Sequence, residues 1–379
     1  MTEHKLYDAV IAGGGLAGLS LAIQLSKAGY SVALFEKEKY PFHKVCGEYI
    51  SLESWDFIEQ LGLPLHNMNL PVIKNLMVSS PNGNKIESDL GLGGFGISRY
   101  LLDDELCKIA RLNGANIFEQ TKVNDIQFEN EIFTISTTAL SVKAKVVAGT
   151  FGKRSNLDVK WSRKFLKQKA ARLNNYIGVK YHVTTSYPAQ TIALHNFKNG
   201  YCGISKIEEN KYCLCYLTTA TNLRSCNNSI AVMEKNILQQ NPFLKQIFSE
   251  AAFLYSSPVT ISQISFEKKS QIENHVLMIG DAAGMITPLC GNGMSMAFHG
   301  SKFAFETIDS FLKNACTREQ MEVQYSFKWN RQFARRLRNG RFIQSMFGKE
   351  WVTNFFIRTI KHFPYLIKHL IKSTHGKPF

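Results

Sequence analysis

The chain has 379 residues, with 45 Lys or Arg against 30 Asp or Glu and a net charge of +15. At about 100–200 residues per domain, this length predicts two or three domains. With 45% hydrophobic and 20% charged residues, the composition excludes a disordered chain, a collagen-like chain and a small disulfide scaffold. No apolar run reaches the ~18 residues of a membrane-spanning helix. The N-terminus lacks the zones of a secretory signal. Eight scattered cysteines without a CxxC pair fit reduced thiols in a cytoplasmic protein better than disulfides or zinc. The charge is uneven. Residues 328–379 hold twelve Lys or Arg and one acid, and residues 153–172 hold eight and one. The rest is mildly acidic. With no helix-turn-helix, zinc-finger or RNP-like pattern, nucleic acid is not an expected partner.

The first forty residues carry the clearest local signal. Tyr7–Ala12 is a short apolar run, the form of a buried parallel strand. Gly13-Gly14-Gly15-Leu16-Ala17-Gly18 follows, then a helix from Leu19 to Ala28 with Gly29 as its stop. Ser31–Phe35 reads as a second buried strand with Glu36 at its end. Strand, glycine turn, helix, strand and acid together form a dinucleotide-binding unit. Gly13 permits the tight turn, Gly15 a close approach to a pyrophosphate, and Gly18 close packing of helix on strand. The helix N-terminus offers free N–H groups to phosphates. Glu36 can accept from ribose hydroxyls and would repel a 2′-phosphate, so the dinucleotide is FAD or NAD, not NADP.

Residues 70–96 read as short strands and turns. Arg99–Asn113 reads as a helix. Ala115–Phe118, Val123–Phe128, Ile132–Thr138 and Val142–Ala148 read as strands. From Tyr176 to Thr219 the period is two, with Tyr176–Val183, Thr191–Phe197, Tyr201–Lys206 and Lys211–Thr218 as strands of an antiparallel sheet. Asn199-Gly200 and Glu209-Asn210 supply turns. Asn227–Asn241 reads as helical. Val276–Ile279 is a further buried strand. It leads into Gly280-Asp281-Ala282-Ala283-Gly284, then Pro288-Leu289-Cys290-Gly291-Asn292-Gly293 and a helix from Met294 to Phe311. The second glycine cluster is another anion-directed loop, and Asp281 can hold a sugar-like hydroxyl there.

These paired motifs resemble FAD-dependent oxidoreductases of the p-hydroxybenzoate hydroxylase fold, and within them the geranylgeranyl reductase-like branch. The resemblance rests on Gly13-x-Gly15-x-x-Gly18 with Glu36, on Lys44-Val45-Cys46-Gly47-Glu48, on Arg99 with Asp103, and on Gly280-Asp281 with Pro288 and Gly291-x-Gly293. It implies a Rossmann-like α/β FAD-binding domain with an inserted antiparallel substrate sheet and a basic C-terminal helical segment. The expected boundaries are 1–68, 97–155 and 272–325 for the first, 69–96 and 156–271 for the second, and 326–379 for the third. Gly13, Gly15, Leu16, Ala17 and Gly18 would meet the pyrophosphate, and Glu36, with Lys37 and Val123 nearby, the adenosine end. Arg99 would reach the phosphates, Gly280 and Asp281 the ribityl chain. Pro288, Gly291, Gly293 and Met294 would lie beside the isoalloxazine, with Lys44, Cys46 and Gly47 close to the flavin. Phe151 stands where many hydroxylases of this fold carry an Asp that helps bind NAD(P)H, so NADH or NADPH as donor is left open. The Gly-Trp-x-Trp-x-Ile-Pro stretch of flavin halogenases is absent, which argues against a halogenase.

The expected function is transfer of hydride from flavin to a hydrophobic substrate (isoprenoid, polyene or alkyl-aromatic). One alternative is hydroxylation of a similar substrate through a flavin C4a-hydroperoxide. Another is a non-catalytic flavin-binding or membrane-docking protein. Cys46 could be a flavin-adjacent acid or a redox thiol with a lowered pKa, or a small packing residue. Glu48 could donate a proton, orient substrate, or cap a helix beginning near Ser51. His43 and Lys44 read as an exposed loop pair that could reach phosphates. Cys290 reads as packing. In the tail, Val352, Phe356, Ile360, Phe363, Ile367 and Ile371 form an apolar face, interrupted near Pro364, opposite Arg358, Lys361, Tyr365, Lys368 and Lys372. That pattern suits either a helix lying on an anionic membrane or a terminal cap with a solvated basic face. The setting expected is the cytoplasm or the inner face of the membrane, with a membrane surface or an acidic carrier as a further partner.

Overall fold

A computed structural model describes residues 5–167, 176–287, 291–346, 350–360, 363–374 and 376–379. Pro288 and Cys290 lie outside them. Leu6–Ala12 is the middle of a parallel sheet because its side chains are apolar on both faces. Val32–Phe35 and then Asn116–Phe118 pair parallel on one side of it. Ser141–Gly149 and then Val276–Met278 pair parallel on the other. An antiparallel hairpin, Val123–Glu129 with Ile132–Thr137, extends from Ser141–Gly149. The helices Leu16–Lys27, Arg99–Leu112 and Gly293–Leu312 share one core with this sheet.

The second sheet has nine strands. Tyr176–Thr184, Tyr212–Thr219, Gly200–Lys206 and Thr191–Phe197 run antiparallel in that order. Asn199, Glu209 and Asn210 take left-handed conformations at the two turns between them. Thr191–Phe197 then pairs parallel with Val72–Ser79, which pairs antiparallel with Lys85–Gly96. Tyr49–Ser51, which falls within the first expected segment, closes this second sheet against Gly94–Gly96.

The two faces of this sheet differ as the period of two requires. One face carries Val179, Tyr181, Val183, Ile204, Leu214 and Tyr216, packed against Met233, Leu244 and Ile247 of the helices Ile230–Asn236 and Pro242–Glu250. Cross-strand register puts Lys180, Cys215, Gly203 and Leu194 in one row of the other face, and His182, Cys213 and Ser205 in the next.

The tail is built from a long helix, Arg318–Met346, followed by Glu350–Ile360 and Pro364–Thr374. The sequence predicts 326–379 only as a helical segment, and the long helix starts earlier, at Arg318. Its apolar positions Met321, Tyr325, Trp329, Phe333 and Leu337 are buried in the main core, while the intervening charges hide that pattern. Part of the apolar face expected of the last two helices turns inward, while Phe363 stays 54% exposed. Ile360 and Ile367 are buried, joined by Ile357, and Ile371 packs on Tyr49, Ile73 and Leu90 at the second sheet. Ile360 and Ile367 are therefore turned away from any membrane surface. Four of the eight basic residues of the other stretch are also engaged internally. Arg163 is buried against Asp158 (2.7 Å), Lys160 pairs with Asp125, and Lys153 and Arg154 reach Ser262 O and Gln263. Among the described residues no helix is long and apolar enough to cross a membrane.

His195, on the helix-covered face of the second sheet, bonds Ser79 Oγ (2.9 Å) and stacks on Phe243. Burial pushes its pKa down to about 4. A group depressed this way contributes stability above the unfolded value, lost as pH falls from about 6.5 toward 4. NMR of ¹³C-histidine protein, with His195 assigned through His195→Gln, is expected to give a midpoint near pH 4. An ordinary midpoint near 6.5 would contradict the packing described.

Candidate functional site

The glycine loop at the head of Leu16–Lys27 is set by steric need. Gly13 has φ +114°, and a Cβ there would lie 2.6 Å from Thr150 O, so only glycine turns the chain at this point. A Cβ on Gly18 would collide with Gly13 O. Gly15 differs, since a Cβ there would meet only Arg99 Nη2 at 3.8 Å. Glu36, at the end of its strand, accepts from Gly14 N (2.8 Å) and Glu38 N (3.1 Å).

Two cations converge on this loop. Arg99 opens the helix Arg99–Leu112 and grips Asp103 with both Nε and Nη2 at 2.7 Å. Lys44 Nζ bonds the same carboxylate at 2.8 Å and lies 3.5 Å from Gly14 O. Burial raises the pKa of Asp103, but Arg99 and Lys44 outweigh it, so the net shift is downward. Lys44 is therefore anchored at the glycine loop and is not part of an exposed pair. His43 is half-buried, stacked on Tyr100, and pushed down to about 4 by burial and by Lys180.

Asp281 follows Val276–Met278 in a short 3-10 turn, Gly280–Ala282. Burial raises its pKa, opposed by Lys269, Arg99 and Lys153. Gly280 packs against Ala17. Met294 lies at the start of Gly293–Leu312, and its Sδ is 3.6 Å from Cys46 Sγ. The structure thus brings Gly13, Gly15, Glu36, Lys44 and Arg99 together at the first loop. It brings Cys46 and Met294 together at the second, with Gly291 against the Tyr49 ring. Leu16 and Ala17 form the buried first turn of their helix. Val123 is buried two residues beyond Thr121, whose N–H bonds Glu36 O. Lys37, next to Glu36, is exposed and lies 3.5 Å from Glu38. Phe151 packs edge-on to Trp161.

The Lys44–Glu48 segment is held from beneath by the second sheet. Lys180 Nζ donates to Lys44 O (3.1 Å), Cys213 Sγ to Cys46 O (3.1 Å) and Ser205 Oγ to Gly47 O (3.1 Å). Glu48, fully buried with φ 54°, receives Lys180 Nζ and Arg99 N (2.8 Å) on Oε1 and His182 Nε2 (2.6 Å) on Oε2. Tyr255 OH lies 2.7 Å from the other His182 nitrogen. Burial raises the Glu48 pKa, and Lys180 and His182 overcome this and hold it below the usual carboxylate range.

Two expectations change here. Glu48 is held by Lys180, His182 and Arg99 N, which favour its charged form over the proton-donor role expected of it. The helix it caps is Arg99–Leu112, whereas the turn after Ser51 is capped by Ser51 itself. Cys46 is not a lowered-pKa thiol, since burial pushes it up. Glu48, His182 and Cys213 offer three ligand atoms within 4.8 Å of one another. Lys180 already supplies positive charge to that carboxylate, and the Cys213 thiol, pushed well above its usual pKa by burial, is spent as a donor to Cys46 O. The cluster is an ion-pair network, not a metal cage. Lys180, His182, Ser205, Cys213 and Tyr255 were not read as site residues. Their signal was a Lys and a His two apart in an otherwise apolar strand.

The chain matches the FAD binding domain family over residues 6–316. It belongs to that family. The chain is 25% identical over 329 residues to Conditioned medium factor receptor 1 of Dictyostelium discoideum, covering 80% of this chain and 63% of that protein. It thus spans less than two thirds of that relative. It is 24% identical over 352 residues to a digeranylgeranylglycerophospholipid reductase of Methanococcus vannielii, covering 89% of this chain and 85% of that one. Among solved structures, a geranylgeranyl bacteriochlorophyll reductase-like protein of Thermoplasma acidophilum superposes with TM-score 0.79 at 17% identity, over 99% of this chain and 97% of that one. The flavin-dependent brominase Bmp2 also gives 0.79, at 20% identity over 98% and 93%. These likenesses establish the fold. The chain is an FAD-dependent enzyme of a group that includes both reductases and halogenases.

The residues present fit FAD. Space at Gly15 faces Arg99, two cations flank the loop, and Glu36 ends the second strand. Among the described residues, the buried Tyr49 OH and Ser295 Oγ near the second turn have no hydrogen-bond partner.

Removing one partner of a buried ion pair costs about 3–5 kcal/mol, because the remaining charge is uncompensated. Lys180→Met is therefore expected to lose about that much stability in urea, with Lys180→Met/Glu48→Gln recovering a large part. Equal losses for the single and double variants would show that Glu48 is not held by Lys180. Gly18→Ala is expected to yield protein with little bound FAD by absorbance at matched folding.

Proposed function

We propose that this protein transfers reducing equivalents from FAD to a hydrophobic, lipid-like substrate held against the second sheet. The observation that carries this is the character of the sheet face turned to the Lys44–Glu48 segment. Beyond the neutralised Lys180–Glu48–His182 network, that face offers Leu194, Gly203 and Cys215, then Tyr201 and Leu217 clustered with Ile264 and Phe266. Such a wall suits an apolar chain and offers little to a charged substrate.

When bound, FAD supplies the hydride chemistry, and the protein supplies position and dryness. Lys44 and Arg99 would hold the phosphates, Glu36 the adenosine ribose, and Asp281 the ribityl chain. Cys46, protonated by its burial, and Met294 would shape the cleft beside the ring. Lys180, Ser205 and Cys213 fix the backbone of residues 44–47 so that this cleft keeps its form. The digeranylgeranylglycerophospholipid reductase relative supports reduction of an isoprenoid chain. NADH or NADPH could reduce the enzyme, although Phe151 offers no carboxylate for it.

Photoreduced protein mixed anaerobically with an unsaturated isoprenoid lipid is expected to regain its oxidised-flavin absorbance, with the lipid two hydrogens heavier by mass spectrometry. Turnover that needs O2 and adds one oxygen to the lipid would replace reduction with monooxygenation. Protein that neither contains nor binds FAD would refute both.

A further inference from the structure

The face of the last two helices that stays outside is itself apolar and basic. On Glu350–Ile360 the inner positions are Thr353, Ile357 and Ile360. The outer row, at helical spacing, is Trp351 (74% exposed), Phe355 (67%) and Arg358. At the turn that follows, Phe363 and Leu366 are about half exposed and Tyr365 is 78% exposed. Five large apolar side chains within sixteen residues face water, although Ile357, Ile360 and Ile367 already satisfy the core contact of both helices. Single exposed apolar residues are ordinary, whereas a cluster marks an interaction surface.

Charge identifies the occupant. Residues 328–379 carry twelve Lys or Arg and one acid. Arg331, Arg335 and Arg338 follow one another along the exposed side of Arg318–Met346, and Arg358 and Lys372 flank the aromatic cluster. Among the described residues, none of these five is ion-paired. Trp, Tyr and Phe interleaved with unpaired Arg and Lys match the headgroup zone of an anionic bilayer, where rings enter the interface and cations meet lipid phosphates. The inner side of the same helices reaches the second sheet, where Ile371 joins Tyr49, Ile73, Leu76 and Ile192. Tyr49 in turn lies against Gly291.

We propose that Trp351, Phe355, Phe363, Tyr365 and Leu366 insert into the headgroup zone of an anionic membrane, with the neighbouring Arg and Lys on its phosphates. The docked helices then stand between the bilayer and the apolar wall of the flavin cleft. The docking rests on exposure and charge alone. Only its use, admission of a lipid-like substrate, rests on the proposed function.

Full-length FAD-containing protein is to be sedimented with vesicles of phosphatidylcholine, and of phosphatidylcholine mixed with phosphatidylglycerol. Pelleting about tenfold stronger with the anionic vesicles is expected. Trp351→Ser/Phe355→Ser/Tyr365→Ser is expected to lose about tenfold of it while keeping its yellow chromophore. Tryptophan emission should shift to the blue on mixing, and Trp351→Phe should pellet normally without that shift. Equal pelleting of parent and triple variant overturns the proposal. So does failure to pellet with either vesicle, including the case in which the same face binds an acidic carrier protein instead. Vesicle binding by protein that neither contains nor takes up FAD would sink the proposed function and leave the docking intact.

Discussion

A carboxylate taken out of water costs several kcal/mol unless cations and donors surround it. Glu48 is fully enclosed, and its neighbours come from two distant parts of the chain. Lys180 and His182 come from the second sheet and Arg99 N from the first turn of a helix in the main core. Each would be left with an unmet charge or N–H if Glu48 moved. The carboxylate therefore fixes the separation between the helix that carries Arg99 and the sheet that carries the apolar wall. Its left-handed backbone is a local strain that this network sustains.

The rest of the site follows from that separation. Arg99 is placed beside Gly15 because its helix starts on Glu48, and it presents its guanidinium while Asp103 keeps the group oriented. Lys44 is only four residues upstream of Glu48 and reaches Asp103 and the glycine loop from the opposite side. Two cations that would repel one another in isolation are thus held at one place by a shared acid. A bound diphosphate would find them already positioned, so little ordering entropy is spent on binding.

The fold was legible wherever short-range physics dictated it. The glycine spacing of residues 13–18, the buried strands around it and the period-two strands of residues 176–219 follow from backbone sterics and side-chain alternation. The FAD site was legible to the same extent, because phosphate binding needs glycine and a helix N-terminus. The Glu48 network was not. Lys180 and His182 are 132 and 134 residues from Glu48, and only strand register puts them with Cys213 and Ser205 on one face. The tail misled for another reason. Trp351 and Phe355 on one side of a helix and Ile357 and Ile360 on the other make it apolar nearly all round. Periodicity alone cannot say which side meets the core.

The three sheet side chains that hold Lys44 O, Cys46 O and Gly47 O divide the second sheet into two halves with different freedom to vary. Near Lys180, Ser205 and Cys213, any change of size or polarity would be transmitted to the backbone of residues 44–47. Leu194 and Leu217, farther along the same face, carry no group that could donate to that backbone. Substitutions at those two positions would leave the three hydrogen bonds to residues 44–47 in place. If substrate lies against this face as proposed, divergence of substrate preference, by natural drift or by directed evolution, would be channelled to that end of the sheet.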